Sequence, residues 1–222
     1  MTKALLFVAC AVGARAQTMD MQAIDQALGV RCDYCHARGA SSPAAASPAD
    51  QKKSIALAMI SMTRDLNDKI QQATGKPPAE TSRVECITCH RGVPIPQPLA
   101  SIILRTVAEK GGAAAADQYR DLRKQYFGRA TYDFSEDALL EMVQRVVQGR
   151  PDDAIALLRM NLEFNPQSAK TYALLGFAYT RKLDDQAALA NLKKSLELDP
   201  TDAMVRGRIE QLEEYRRRRE RQ

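Results

Sequence analysis

Two segments of the chain, at residues 32–36 and 86–90, share the pattern Cys-x-x-Cys-His. This pattern is the attachment signature of a c-type haem, because two thiols at this spacing can form thioethers with the haem vinyl groups while the histidine binds the iron. The chain has only two histidines, and each of them ends one of these motifs. We therefore predict two covalently bound c-type haems. The residues assigned to thioether formation and iron ligation are Cys32, Cys35, His36, Cys86, Cys89 and His90.

Paired Cys-x-x-Cys motifs also occur around a tetrahedral zinc ion. In this chain 50 residues separate Cys35 from Cys86, whereas zinc sites of this type usually leave roughly 15–20 residues between the pairs. Zinc would also leave both histidines without a role. A disulfide framework is a second alternative for an exported chain, although this chain is long enough to build an ordinary core. Haem attachment is favoured over both alternatives.

Residues 1–16 have the features of a secretory signal peptide. Lys3 precedes a ten-residue apolar run, and Ala-Arg-Ala at 14–16 resembles a cleavage site before Gln17. The run is too short to span a bilayer; a buried N-terminal helix is the alternative interpretation. We expect a periplasmic or extracellular mature protein without a transmembrane segment, since haem is attached to such motifs outside the cytoplasm.

The composition predicts an all-α fold. Tryptophan is absent, aromatic residues make up 5% of the chain, and the alternation of β-branched residues typical of strands is scarce. We expect a small di-haem cytochrome domain with few helices at 17–98 and a tetratricopeptide-like α-solenoid at 99–222. The net charge of the whole chain is +5. Among partners, we expect no nucleic acid.

In the haem domain the sequence predicts two helices and a loop. A helix at 21–28, capped by Asp20 or Thr18, should end at Gly29. A second helix at 51–71 should have Asp50 as its N-cap. The residues 37–50 between them are rich in Ala, Ser and Pro, which predicts a flexible loop.

The second predicted helix has apolar residues spaced by three or four positions, which places them on one face. They are Ile55, Met59, Met62, Leu66 and Ile70. Such a methionine stripe is more often core packing than a ligand set. Here, however, each iron needs a sixth ligand and no third histidine exists, so methionine is the strong remaining candidate. Met21 and Met59 are the first choices and Met19 and Met62 the backups; helical geometry alone leaves Met59 and Met62 nearly even.

The repeated order of methionine helix, turn and Cys-x-x-Cys-His resembles the cytochrome c subunit of photosynthetic reaction centres. The resemblance is carried by residues 29–36, 58–67 and 84–92. It implies that Met21 and Met59 are the sixth ligands. That subunit typically carries four haems in two such pairs, whereas this chain has one pair and lacks a histidine between Asn67 and Val84. The resemblance therefore supports a di-haem module rather than a role in photosynthesis.

The second half of the chain contains a repeat with a period of 34 residues, the tetratricopeptide period. The recurring pairs are Ala154 with Ala188, Leu158 with Leu192, Leu162 with Leu196, and Pro166 with Pro200. A helix at 201–219 should cap the array, and 99–128 should form a helix pair broken at Gly111 and Gly112. Such arrays usually bind protein segments, but a short one can instead brace the haem domain or mediate self-association.

These features favour an electron-transfer protein with redox partner proteins over an enzyme. The first alternative is a di-haem peroxidase-like enzyme, which needs an open iron site and acid–base groups; the sequence offers no distal histidine for that chemistry. The second alternative is a repeating subunit of a conductive cytochrome assembly, which no residue specifically supports.

Overall fold

The computed structural model of the chain describes residues 20–36, 48–219 and 221. Within these residues the fold consists of ten α-helices and two short 3₁₀ turns, without a β-strand. The predicted all-α class is therefore confirmed. None of the helices in the described ranges has the length and apolar character needed to cross a bilayer.

The chain divides into two compact units between Ile95 and Pro96. The predicted signal peptide at 1–16, the backup ligand Met19 and residues 37–47 of the loop predicted at 37–50 lie outside the described residues. Residues 48–50 of that predicted loop are helical instead.

The N-terminal unit contains three α-helices joined by turns. They are α1 (Met21–Leu28), α2 (Pro48–Thr74) and α3 (Cys86–His90), with 3₁₀ turns at Cys32–Tyr34 and Pro78–Glu80. As predicted, α1 starts after Asp20, whose carboxylate accepts a hydrogen bond from the Ala23 backbone N–H at 3.0 Å. It ends at Gly29, whose φ of 64° lies in the left-handed region that glycine adopts without steric cost.

Helix α2 is longer than the predicted helix, and the prediction of Asp50 as its N-cap is wrong. The helix begins at Pro48, so Asp50 lies inside its first turn. Proline suits the first helical position because its missing N–H would have no partner there. A carboxylate in the first turn is stabilised by the positive end of the helix dipole. Asp50 pairs there with Lys53 at 3.5 Å.

The described part of the N-terminal unit has a very small protein core. Its buried apolar side chains are Ala27 and Val93, and the 27 residues of α2 include no buried one. Small domains are marginally stable even with an ordinary core. Protein packing alone therefore gives this unit little stability.

The C-terminal unit consists of seven α-helices in sequence. They are α4 (Leu99–Lys110), α5 (Gly112–Tyr126), α6 (Glu136–Val147), α7 (Pro151–Phe164), α8 (Ala169–Arg181), α9 (Asp185–Leu198) and α10 (Ala203–Arg219). Gly111 separates α4 from α5, which confirms the predicted break. Helices α7 and α9 begin 34 residues apart and end 34 residues apart.

Two clusters of buried apolar side chains stabilise the C-terminal unit. The first extends from α4 to α8, and the second joins α8, α9 and α10. A close approach of α8 and α9 depends on Gly176, where a Cβ atom would lie 2.4 Å from Cγ of Leu192. Leu192 is completely buried, so an added methyl group at residue 176 would displace a core side chain.

Candidate haem-binding site

The second Cys-x-x-Cys-His motif forms one short helix, α3. Because residues three and four positions apart lie on the same side of a helix, Cys86, Cys89 and His90 project from one face. The helix is started by a capping box in which the Glu85 backbone N–H donates to Oγ1 of Thr88 at 3.0 Å. A residue between the two cysteines thus helps to fold the motif.

His90 is oriented by the chain that follows it. Its Nδ1 atom lies 3.0 Å from the Val93 carbonyl oxygen, because the chain reverses at Arg91 (φ 48°) and Gly92 (φ 87°). When Nδ1 carries the proton and donates it to this carbonyl, Nε2 has a free lone pair. Metal-binding histidines typically use this arrangement, in which a second hydrogen bond fixes the tautomer. In this tautomer, Nε2 of His90 is the ring nitrogen left available to a metal.

The first motif forms a 3₁₀ turn that is closed by a wider turn of α-helical type. The His36 backbone N–H donates to the Cys32 carbonyl at 2.9 Å, so the two cysteines and the histidine are again close in space. The Cys32 thiol donates to Oδ2 of Asp25 at 3.2 Å. This hydrogen bond and the negative charge of Asp25 raise the pKa of the Cys32 thiol, which favours its protonated form.

The methionines predicted as iron ligands lie on α1 and α2 with their side chains uncovered. Met21 is 50% exposed, Met59 44% and Met62 46%. The apolar face of α2 is likewise exposed at Ile55 and Leu66. Several exposed apolar side chains on one helix face are a feature of binding surfaces. Four members of the predicted stripe are thus exposed within the described residues, and the fifth, Ile70, is half-buried.

A cleft of about 880 Å³ lies between α1, α2 and the segment that leads into α3. Ile24 and Ala27 line it from α1, Ile60 from α2, and Cys86 from α3. Met59 and Met62 lie outside this lining, because they point to an adjacent side of α2. A second cavity of about 450 Å³ lies beside Cys32 and His36.

Two contacts that the sequence did not predict hold α2 in place. Asn67 exchanges two hydrogen bonds with the backbone of Val84, at 2.8 and 2.9 Å. Near the start of the helix, Nζ of Lys52 lies 3.7 Å from the ring centre of Tyr34, inside the first motif. Neither contact could be predicted from a periodic sequence pattern, because each joins residues that are 17 or more positions apart.

The residues of both motifs fit covalent haem. The four motif cysteines are free thiols, each motif places two of them and a histidine together, and an apolar face with methionines lies on the same unit. Among residues 20–36, 48–219 and 221, no group of three or more His, Cys, Asp or Glu side chains is placed to hold a metal ion.

Comparison with known proteins assigns the chain to a family. No curated protein matches it. The family of the photosynthetic reaction centre cytochrome C subunit matches residues 20–177, which is more than half of the chain and includes both motifs. Members of such a cytochrome family bind haem covalently, transfer electrons and have redox partners. The chain therefore belongs to the photosynthetic reaction centre cytochrome C subunit family.

Proposed function

We propose that the chain is an exported di-haem c-type cytochrome that transfers electrons, and that its C-terminal half is a tetratricopeptide-like domain for protein interaction or assembly. The observation that carries the haem assignment is the combination of two Cys-x-x-Cys-His motifs with an uncovered apolar face on α2. The thiols and imidazoles provide the attachment points, and the face provides the surface against which a porphyrin can pack.

Each haem has its own set of residues in this proposal. The first set is Cys32, Cys35, His36 and Met21, and the second set is Cys86, Cys89, His90 and Met59; Met19 and Met62 are the second choices for the sixth ligand. A bound haem with both axial positions filled supplies an iron that changes between Fe(II) and Fe(III) without binding a substrate. This property distinguishes an electron carrier from a peroxidase-like enzyme.

The chain's own residues tune and protect the site. The Val93 carbonyl holds the ring of His90 in one orientation, and this kind of second contact also raises the basicity of the ligand. A methionine thioether raises the reduction potential relative to a second histidine. The aliphatic side chains Ile55 and Leu66, on either side of the methionines, would exclude water from a porphyrin bound on this face.

Haem also accounts for the small core of the N-terminal unit. Ala27 and Val93 are the buried apolar residues of its described part, whereas Ile55, Met59, Met62 and Leu66 on one face of α2 are exposed. A porphyrin that packs on α2 would remove these side chains from water, at about 25 cal/mol for each Å² of apolar surface. We infer that haem attachment completes the core of this unit.

The helix bounds of the C-terminal unit support the repeat assignment. The 34-residue offset between α7 and α9 equals the tetratricopeptide period. Gly176 and Ala188 allow α8 and α9 to pack closely. Stacked helix pairs of this type offer an extended surface for a protein segment or for a second copy of the chain.

The experiment that tests the function is a redox titration of the exported protein and of two variants. Cys32→Ala/Cys35→Ala and Cys86→Ala/Cys89→Ala should each keep one haem and half of the reversible absorbance change, and neither should turn over peroxide. If the wild-type protein has a high-spin iron and consumes peroxide rapidly, the peroxidase-like alternative is correct. If one double variant loses both haems, the two sites are not independent as proposed.

A further inference from the structure

The amide of Asn67 forms a closed pair with the backbone of Val84. The Val84 N–H donates to Oδ1 of Asn67 at 2.8 Å, and Nδ2 of Asn67 donates back to the Val84 carbonyl at 2.9 Å. The second Nδ2 proton is donated to the Thr63 carbonyl at 3.0 Å. The side chain thus uses its acceptor and both of its donors. Reversing the amide would bring donor against donor, so its orientation is fixed by its partners.

This pair joins two segments that carry parts of the second haem site. Asn67 lies on α2, the helix of Met59 and Met62, whereas Val84 lies two residues before Cys86. Helix α2 has no buried residue, so apolar packing against the rest of the described unit does little to fix its position. Together with the contact between Lys52 and Tyr34 near the start of α2, this two-point hydrogen bond restrains the shift of the helix along its axis and its rotation about that axis.

The rotation set by Asn67 distinguishes between the two methionines. At 3.6 residues per turn, Met59 lies about 80° around the helix from Asn67, and Met62 about 140°. Along the axis the two methionines lie about 12 Å and about 7.5 Å from Asn67. Of the two, Met59 is therefore nearer to the side of α2 that faces the segment leading into α3.

We propose that Asn67 is the positioning residue that holds α2 against Val84 and thereby presents Met59 to the iron bound at His90. The inference rests on the proposed function, since it assumes a haem attached at Cys86 and Cys89. The proposal assigns a role to Asn67, a residue that contacts neither the porphyrin nor the iron. It also favours Met59 over Met62 as the ligand, because Met59 lies nearer to the Asn67 side of α2.

The test uses the holoprotein and three single variants. Asn67→Leu removes all three hydrogen bonds while it keeps the branched shape of the side chain, and Asn67→Asp keeps only the acceptor for the Val84 N–H. Gln71→Leu is the matched control, because Gln71 lies one turn further along the same cleft-lining face of α2. The measurements are the methionine-to-iron charge-transfer absorbance, the reduction potentials and the affinity for imidazole.

Each haem with a methionine ligand contributes a methionine-to-iron charge-transfer band. In Asn67→Leu one of these two bands should weaken while both haems stay covalently attached. Its apparent affinity for imidazole should rise by about tenfold or more, because a larger fraction of molecules then has Met59 away from the iron. Asn67→Asp should change in the same direction as Asn67→Leu, because a carboxylate oxygen would then face the Val84 and Thr63 carbonyls. Gln71→Leu should equal the wild type. In a Met59→Ala background the Asn67→Leu change should add nothing, since the iron is already open.

A purely structural role for Asn67 predicts a different result. Asn67→Leu would then lower only the melting temperature and leave both methionine bands and the imidazole affinity unchanged, which would overturn the inference. If Asn67→Leu does not accumulate, an Asn67→Asp protein with wild-type spectrum and imidazole affinity overturns it equally. A wild-type holoprotein without any methionine band would instead overturn the ligation proposed above, and this inference with it.

Discussion

The backbone N–H of Gly92 donates a hydrogen bond to the carbonyl oxygen of Ala27 at 2.8 Å. Ala27 lies in the last turn of α1, and Gly92 follows the second Cys-x-x-Cys-His motif by two residues. Ala27 is buried, as is Val93 next to Gly92. The small core of the N-terminal unit thus forms where the helix that carries Met21 meets the end of the second motif.

Gly29→Ala should destabilise this junction strongly. The φ of Gly29 is 64°, and a Cβ atom at this residue would lie 2.2 Å from the Gly92 carbonyl oxygen. The left-handed conformation costs a non-glycine residue about 1–2 kcal/mol, and the forced displacement of the backbone should add about 1–3 kcal/mol. Urea denaturation of the holoprotein, followed through the haem absorbance, measures this loss.

Gly75→Ala is the control for this prediction. Gly75 has nearly the same φ, 62°, but no atom lies within 4 Å of the position that a Cβ atom would take there. The stability of this variant should therefore fall only by the cost of the left-handed conformation, about 1–2 kcal/mol. Equal losses in the two variants would show that the approach of Gly29 to Gly92 does not matter for stability.

The sequence predicted the local elements well and the contacts between them poorly. Asp20 and Gly29 mark the ends of α1 as expected, because capping depends on neighbouring residues. The start of α2 was missed because Asp50 suits the first turn as well as the N-cap. The pairing of Asn67 with Val84 could not be predicted, since a side-chain amide that bonds to a backbone 17 positions away leaves no periodic pattern. The motif residues themselves are recognisable because their spacing is a requirement of the chemistry.

Met59→Ala should open one iron to water or an added ligand. It should also lower the reduction potential of that haem, because the preference of the thioether for Fe(II) is lost. Met62→Ala should leave the low-spin spectrum intact. If haem covers Met62, this second variant should cost about 2–5 kcal/mol of stability through lost packing. Absorbance spectra and potentiometric titration of both variants distinguish these effects.

An exchange of the two phenotypes would identify Met62 as the ligand in place of Met59. Unchanged spectra in both variants would mean that the sixth ligand comes from elsewhere, which contradicts the assignment of α2 as the ligand helix.

Removal of haem should unfold α2 and leave the C-terminal unit intact. A variant in which the four motif cysteines are changed to serine should exchange the amide hydrogens of α2 rapidly, because regions with few buried apolar contacts open easily. Amides in α5 and α7, which lie in a large buried cluster, should exchange as slowly as in the holoprotein. Hydrogen exchange followed by mass spectrometry makes the comparison. Full protection of α2 without haem would contradict the inference that haem completes this unit.

Gly176→Ala and Gly207→Ala should change the stability of the C-terminal unit in opposite directions. At Gly176 the added methyl group overlaps the buried Leu192, and overpacking of this kind costs about 1–3 kcal/mol. At Gly207, in α10, the Cβ position is open, so the higher helix propensity of alanine should stabilise the unit by about 0.5–1 kcal/mol. Thermal denaturation followed by circular dichroism tests both values. A stabilising Gly176→Ala would argue against close packing of α8 on α9.

The most direct test of the proposed function is the intact mass of the protein after export from cells that attach c-type haem. We expect the mass of the chain from Gln17 onward plus two haem groups, and the colour should stay with the protein after extraction with acidified acetone. A mass without haem, or a protein that contains zinc instead, would contradict the proposed di-haem cytochrome.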